Sequence, residues 1–334
     1  MGLIISGSIS VAVEAGDALS YPTDVLALKY AQALYGADRL VVQALNNGGV
    51  TIPSFPRPGQ HLLIESGGVL GARHTILLGV EDLHSFGYEN IRRFAHDVLR
   101  ILAIGLPETR YLCLTLHGVG FGLDESEAFR AEIGGIMDAI EAAEYPRSLE
   151  RITIVERASS RAERLSRLLE AMDDGTGAET GKRLSSRSGQ STLRQSLDDA
   201  GASSATKPHV FVAMPFAEEF SDLFHYGIQG AVNASGYLCE RADLATFTGD
   251  VIRWVKERID SAALLVADLT SANPNVYLEV GYAWGRGVPT VLLTRDAEEL
   301  KFDVQGQRCL VYKNIRHLEE LLRRELAGLS GSTA

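Results

Sequence analysis

The sequence is poor in cysteine: only Cys113, Cys239 and Cys309 occur in 334 residues. They are far apart, odd in number and set in apolar, strand-like runs. Neither a zinc site nor a disulfide framework is expected. Reduced core thiols of a cytoplasmic protein are the expectation. Long apolar runs are also missing. No stretch of about 18 apolar residues occurs, so no membrane span is expected. The N-terminal MGLIISGSIS has no basic region ahead of an apolar core, so it does not read as a signal peptide. Positive charge is scarce as well, with 32 Lys and Arg against 43 Asp and Glu, a net charge of −11. That balance excludes a general nucleic-acid binder, because neutralising phosphates needs a cationic surplus; a local basic patch stays open.

The apolar fraction of 46% is enough for more than one core, and 334 residues fit two domains better than one. One composition break divides the chain. Residues 172–207 are rich in Gly, Ser, Thr and Asp and hold no aromatic, so they cannot bury enough apolar surface to offset ordering. The spacing predicts an N-terminal domain over 1–172, a flexible linker over 173–207, with a short helix open near Leu193 to Leu197, and a C-terminal domain over 208–330.

Both halves alternate strands and helices. In the first, strands are predicted at 11–14, 25–28, 61–65, 74–80, 111–116 and 151–155, and helices at 89–103, 125–143 and 160–172. The second half predicts strands at 209–214, 237–240, 262–268, 288–294 and 309–312. Its helices are predicted at 217–235, 248–260, 274–286 and 318–326. The run AALLVAD at 262–268 is apolar on both faces, as a central parallel strand is. The fold class expected is α/β in two domains, the second doubly wound, with ligands beyond the carboxyl ends of its strands.

Three loops of the second domain leave such strand ends: Met214-Pro215-Phe216, the run Asp268 to Asn273, and the turn after Thr294. Asn273 suits a helix N-cap and Pro274 a first turn. Asn275, Glu279, Tyr282 and Arg286 follow at intervals of four, three and four and share a helix face. A carboxylate there can stabilise, or trap, the oxocarbenium-like ribosyl centre formed when an N-glycosidic bond breaks. A neutral leaving base also needs a proton, which Asp268 or Asp243 can supply. Spacing alone fits equally well with Glu279 capping its helix or pairing with Arg286 in solvent.

Three separated strings narrow this choice: VFVAMPF, then ADLTSANPNVYLEVGYAWGRGVPTVLL, then LKFDVQGQRCLVY. Over 208 to about 326 they resemble the TIR-like and nucleoside 2-deoxyribosyltransferase-like superfamily. The resemblance implies Glu279 as the catalytic carboxylate. It places Met214, Pro215, Phe216, Asp268 and Asp303 around a nucleotide pocket, and with the helix-start spacing this makes Asn273, Asn275 and Tyr282 substrate-binding candidates. It also implies cleavage of N-glycosidic bonds of nucleosides or of NAD.

In the first half, Gly16-Asp17 precedes the run Thr23-Asp24-Val25-Leu26, and His117-Gly118-Val119-Gly120-Phe121-Gly122 follows the strand YLCLTL. Glycines after a strand and before a helix leave backbone N–H groups free for phosphate; a tight turn without a ligand is the equal alternative. Together these features resemble a macro domain over about 3–172, a three-layer α/β/α fold. The resemblance implies that Asp17 contacts adenine and that Gly118, Val119, Gly120, Phe121 and Gly122 hold phosphates of an ADP-ribose-like nucleotide. The asparagines of the family's ribose-contacting segment are missing, since residues 28–31 read LKYA, which speaks against ADP-ribosyl hydrolysis.

The pairing resembles bacterial anti-phage effectors in which a sensor gates an NAD-degrading domain. It implies no required cofactor, NAD as substrate, nucleotide ligands, a homo-oligomer, and no nucleic-acid or membrane partner. The alternatives left open are a non-catalytic nucleotide-binding signalling protein and a nucleoside 2-deoxyribosyltransferase.

Overall fold

The structure is a computed structural model, described over residues 3–5, 9–83, 85–119, 121–173, 197–215, 217–242, 251–298, 300–301 and 304–330. The chain forms two compact units. The first comprises Met1–Val119 and Glu125–Ala205; the second comprises Gly120–Asp124 and Thr206–Ala334. Each is α/β with a parallel-rich sheet.

In the first unit the elements are β1 (Leu3–Ile5), β2 (Ile9–Ala15), β3 (Thr23–Tyr30), α1 (Gly36–Asn47), β4 (His61–Glu65), β5 (Ala72–Gly79), α2 (Tyr88–Gly105) and β6 (Tyr111–Leu114). Strand β7 (Phe121–Gly122) belongs to the second unit; α3 (Glu125–Glu141), β8 (Arg151–Glu156) and α4 (Ser159–Asp173) complete the first. Its seven strands run in the order β1-β2-β8-β6-β3-β5-β4. The outer pairs β1–β2 and β4–β5 are antiparallel, and the inner pairs are parallel. Strand β3 is buried from Val25 to Lys29, as a central strand covered on both faces must be. Helix α2 buries Ile91, Phe94, Ala95, Val98, Leu99 and Leu102, a stripe at spacings of three and four. Helix α1 was not expected from the sequence. Its start at Gly36 has no Ser, Thr, Asp or Asn at the cap, and burial of Val41, Val42 and Leu45 against Leu26, Leu28 and Leu77 holds it instead.

The second unit contains β9 (His209–Ala213), a π-turn (Leu223–Gln229), α5 (Gly230–Ala234), β10 (Leu238–Ala242), α6 (Val251–Ser261), β11 (Leu264–Asp268), α7 (Pro274–Arg286), β12 (Thr290–Thr294), β13 (Cys309–Val311) and α8 (Ile315–Ser330). The sheet order is β13-β12-β11-β9-β10-β7. All neighbours are parallel except β7, which runs antiparallel to β10. Side chains alternate cleanly: Val210 and Val212 face Phe224, Ile228, Leu318 and Leu322, whereas Phe211 and Ala213 face Ile259, Val276, Val280 and Ala283. The single helix expected over 217–235 is a correction. It divides into a 3-10 turn (Glu218–Phe220), the π-turn and α5. Gly227 lies in the π-turn where an added Cβ would come within 2.9 Å of Leu318, so close packing of α8 shapes this stretch.

Among the described residues no helix is long and apolar enough to cross a membrane, and no group of three or more His, Cys, Asp or Glu is placed to hold a metal ion. Cys113 and Cys239 are free and buried; Cys309 is free and half-buried.

Candidate active site

The order β10-β9-β11-β12-β13 has a chain reversal between β9 and β11. From β9 the chain crosses to one side, to β10, and then returns past β9 to β11 on the other. The two loops leaving the carboxyl ends of β9 and β11 therefore part, which is the place where open parallel sheets bind ligands. These loops are Met214-Pro215 after β9 and Leu269 to Asn273 after β11.

Asp268 ends β11 and is fully buried. Its Oδ1 accepts the Thr270 backbone N–H at 3.0 Å, and its Oδ2 accepts the Tyr312 hydroxyl at 2.8 Å. The Thr270 hydroxyl lies 3.2 Å from the Tyr312 oxygen and accepts the Arg295 backbone N–H at 3.2 Å. With the Tyr312 proton directed to Asp268, the Thr270 hydroxyl donates to Tyr312. Burial pushes the Asp268 carboxyl up, and the hydrogen bonds from Thr270 and Tyr312 pull it back. This corrects the expectation of Asp268 as a proton donor to substrate: both oxygens are occupied and no face is open. Its role is to fix the strand end and the loop after it.

That loop is strained. Ser271 and Ala272 adopt positive φ of 65° and 47°, a region that costs a non-glycine residue about 1 kcal/mol or more each. The following Asn273 caps α7, its side chain accepting the Asn275 N–H at 3.0 Å, with Pro274 in the first turn. Val276, Val280 and Ala283 anchor the helix against the sheet. Glu279 lies beside that buried stripe and is half-buried. Among the described residues it has no hydrogen-bond or ion partner. Burial alone raises its carboxyl to about 7.

The other expected residues separate. Met214 and Pro215 are buried, Met214 within the apolar core. Asn275 is exposed. Tyr282 donates to Asp260 at 3.0 Å, and Arg286 bonds the same carboxylate at 2.7 Å, so both are tied to α6. Arg286 is thereby not the partner of Glu279. Phe216, Asp243 and Asp303 lie outside the described residues. Sequence reasoning passed over Tyr312 and Thr270; the only signal was a tyrosine closing an apolar edge strand.

In the first unit, the Asp17 carboxylate accepts the Leu19 N–H at 3.0 Å and so closes its own turn. Gly118 is buried with φ +85°, and Val119 is half-buried; Gly120 lies outside the described residues. Phe121 and Gly122 correct the expectation of a phosphate loop in this unit. They form β7, paired with Ala242 and Arg241 of the second unit's sheet. Gly122 has φ +100°, and a Cβ there would meet the Trp254 ring at 2.1 Å. The glycine is required by packing.

A different polar set stands at the carboxyl ends of the neighbouring strands β3 and β6, and the sequence analysis did not single it out. Lys29, Asp38, Thr115 and His117 are all buried. Asp38 Oδ2, Thr115 Oγ1 and His117 Nε2 have no hydrogen-bond partner. Burial, more than the charge of Lys29, drives His117 well below the ordinary imidazole range, so it is neutral. Burial lowers Lys29 and raises Asp38, while the attraction between them opposes both shifts. A lysine inside the apolar run VLALKY was the available signal.

The sequence matches no protein-family model and no curated protein. Solved structures similar to it include macrodomains. One from Oceanobacillus iheyensis with MES bound is 12% identical, with a TM-score of 0.37, covering 52% of this chain and 96% of that one. One from Trypanosoma brucei in complex with ADP is 14% identical, with a TM-score of 0.34, covering 48% of this chain and 68% of that one.

Proposed function

We propose that the second unit cleaves the N-glycosidic bond of NAD or a related nucleotide, with Glu279 as the acting carboxylate. The observation that carries this reading is a half-buried, partnerless carboxylate raised to about 7, next to the switch point of a parallel sheet. In the reaction the C1′–N bond breaks and its electron pair leaves with nicotinamide, which departs neutral. The positive charge left on C1′ and the ring oxygen is stabilised by ionised Glu279. Water adds to C1′ and gives up a proton. Asp268 is sealed and cannot protonate a leaving base, so a base that already carries positive charge suits the site best. Ionisation of Glu279 makes activity rise with pH through about 7.

The first unit is proposed to bind an ADP-ribose-like nucleotide at the carboxyl ends of β3 and β6, where Asp38, Thr115 and His117 hold buried polar atoms in need of partners. Ligand binding there is proposed to gate the second unit in a homo-oligomer, as the resemblance to anti-phage effectors implies. The sealing of Asp268 favours one second reading, a nucleotide-binding signalling protein without turnover.

Mass spectrometry of NAD incubated with the protein, with and without ADP-ribose, tests both. Release of nicotinamide by wild type, reduced about 100-fold or more in Glu279→Gln, is the expected result. Unchanged turnover in that variant removes Glu279 from its role. Tight nucleotide binding with no product establishes the second reading.

A further inference from the structure

Helix α7 is apolar on two opposite faces. Val276, Val280 and Ala283 pack against the sheet. Of its 13 residues only Glu279 and Arg286 are charged, and both share a flank with Tyr282, which α6 holds through Asp260. The face turned away from the sheet has no charge. Pro274, Leu278, Gly281 and Gly285 follow at intervals of four, three and four and are all exposed. Leu278 is 67% exposed, Trp284 on the far flank 39%, and Ile252 on the neighbouring α6 62%. An added Cβ at Gly281 or Gly285 would meet nothing within 4 Å. A surface helix turns a polar face to water, and a helix apolar all round is covered all round. An exposed apolar patch with a polar rim marks an interaction surface.

The rim points to what covers it. An open groove of about 340 Å³ runs along α6, lined by Ile252, Arg253, Lys256, Glu257, Asp260 and Tyr282. Asp260 is taken by Tyr282 and Arg286. Lys256 lies 5.4 Å from the Tyr282 ring centroid, and neither it nor Glu257 makes an ion pair among the described residues. A cation and an anion side by side complement a copy of themselves. With a two-fold axis across α7 at Gly281, the two α7 helices run antiparallel and α6 lies over α6. Lys256 of each copy then stands by Glu257 of the other. Glycine at the crossing lets the two backbones approach. A uniformly acidic or basic partner would satisfy one of the two charges and repel the other.

We propose that this face of α6 and α7 docks a second copy of the chain, two-fold and antiparallel. Leu278 lies at its centre, Ile252 and Trp284 beside it, and Lys256 pairs with Glu257 at the rim. This names the surface of the homo-oligomer proposed above and rests on that assembly; it does not depend on N-glycosidic cleavage. The contact lies on the helix that carries Glu279, so assembly and the candidate carboxylate share one rigid element.

Sedimentation velocity of the full chain over a dilution series tests it. Wild type is expected to form a dimer. Leu278→Lys is expected to weaken that dimer about 30-fold or more, because an apolar anchor is lost twice in a two-fold contact. Gly281→Lys is expected to do the same without loss of folding, since lysine suits a helix better than glycine and its Cβ has open space. Gly281→Lys thus keeps the test decisive should Leu278→Lys melt early. Lys256→Glu and Glu257→Lys are each expected to weaken the dimer several-fold, and the double exchange to restore it. A monomeric wild type overturns the proposal and the homo-oligomer with it. A dimer that survives both Leu278→Lys and Gly281→Lys overturns this surface alone, and so does a double charge exchange that binds no tighter than the single variants.

Discussion

The two units differ in how they treat certain buried carboxylates. In the first, Glu132 is fully buried with neither oxygen bonded, and Asp38, Thr115 and His117 each retain a partnerless atom. In the second, the buried carboxylates are satisfied: Asp268 by Thr270 and Tyr312, Glu240 by Arg258, and Asp124 by Asn233 and Cys239. The acid singled out there is Glu279, which is half-buried rather than sealed. An unsatisfied buried group costs stability unless something else completes it. Among the described residues the fully buried carboxylate with neither oxygen bonded, Glu132, thus lies in the first unit, whereas the second leaves Gln229 Nε2 and Arg258 Nε unpartnered and keeps its partnerless Glu279 half-buried.

Glu132 gives the sharpest way to break this contrast. Burial raises its carboxyl to about 8, against an ordinary value of 4.5. Below 4.5 the group is protonated in both folded and unfolded chains. Between 4.5 and 8 only the unfolded chain ionises, so stability falls as pH rises through that window. At ~1.4 kcal/mol per unit the loss reaches ~5 kcal/mol as an upper limit. Glu132→Gln is expected to remove most of this slope, measured as urea midpoints at pH 5 and pH 9. Parallel wild-type and variant profiles would show that Glu132 is satisfied in solution, and the contrast would lose its main support. Next in size is Gly122→Ala. The new Cβ meets Trp254 and the backbone is left-handed, so a loss of about 2–4 kcal/mol is expected in thermal unfolding. A neutral outcome would return the Gly118 to Gly122 segment to the role of a ligand loop. Tyr312→Phe comes third. It removes one of the donors that keep Asp268 satisfied, and about 1–3 kcal/mol is expected by chemical denaturation. If stability is unchanged, the second unit does not depend on a satisfied Asp268.

Much of this architecture was legible because its signals are local. The strand AALLVAD, the Asn273-Pro274 helix start and the position of Glu279 need only periodicity and capping chemistry. What was missed depends on distant partners. Nothing near Asp268 tells that Tyr312, 44 residues away, donates to it. Nothing near Gly122 tells that Trp254 fills its Cβ space, or that the segment pairs with β10. Tyr282 and Arg286 share a helix flank as expected, but Asp260 on α6 takes both of them. The first unit's polar set escaped notice because a lysine and a histidine in apolar runs mean little until burial is known.

The smallest expected effect separates two roles for one residue. Asn273 was expected both to cap α7 and to bind substrate; its side chain accepts the Asn275 N–H at 3.0 Å as the cap of that helix. Removing such a cap costs about 1 kcal/mol. Asn273→Ala is therefore expected to lower the unfolding free energy by about that amount. Asn273→Asp, which caps as well, is expected to restore both stability and kcat/KM. If Asp restores stability while kcat/KM stays at the level of Ala, the amide touches the ligand as well as the helix. The second unit's site then extends from Glu279 to the helix start and is wider than one accessible carboxylate implies.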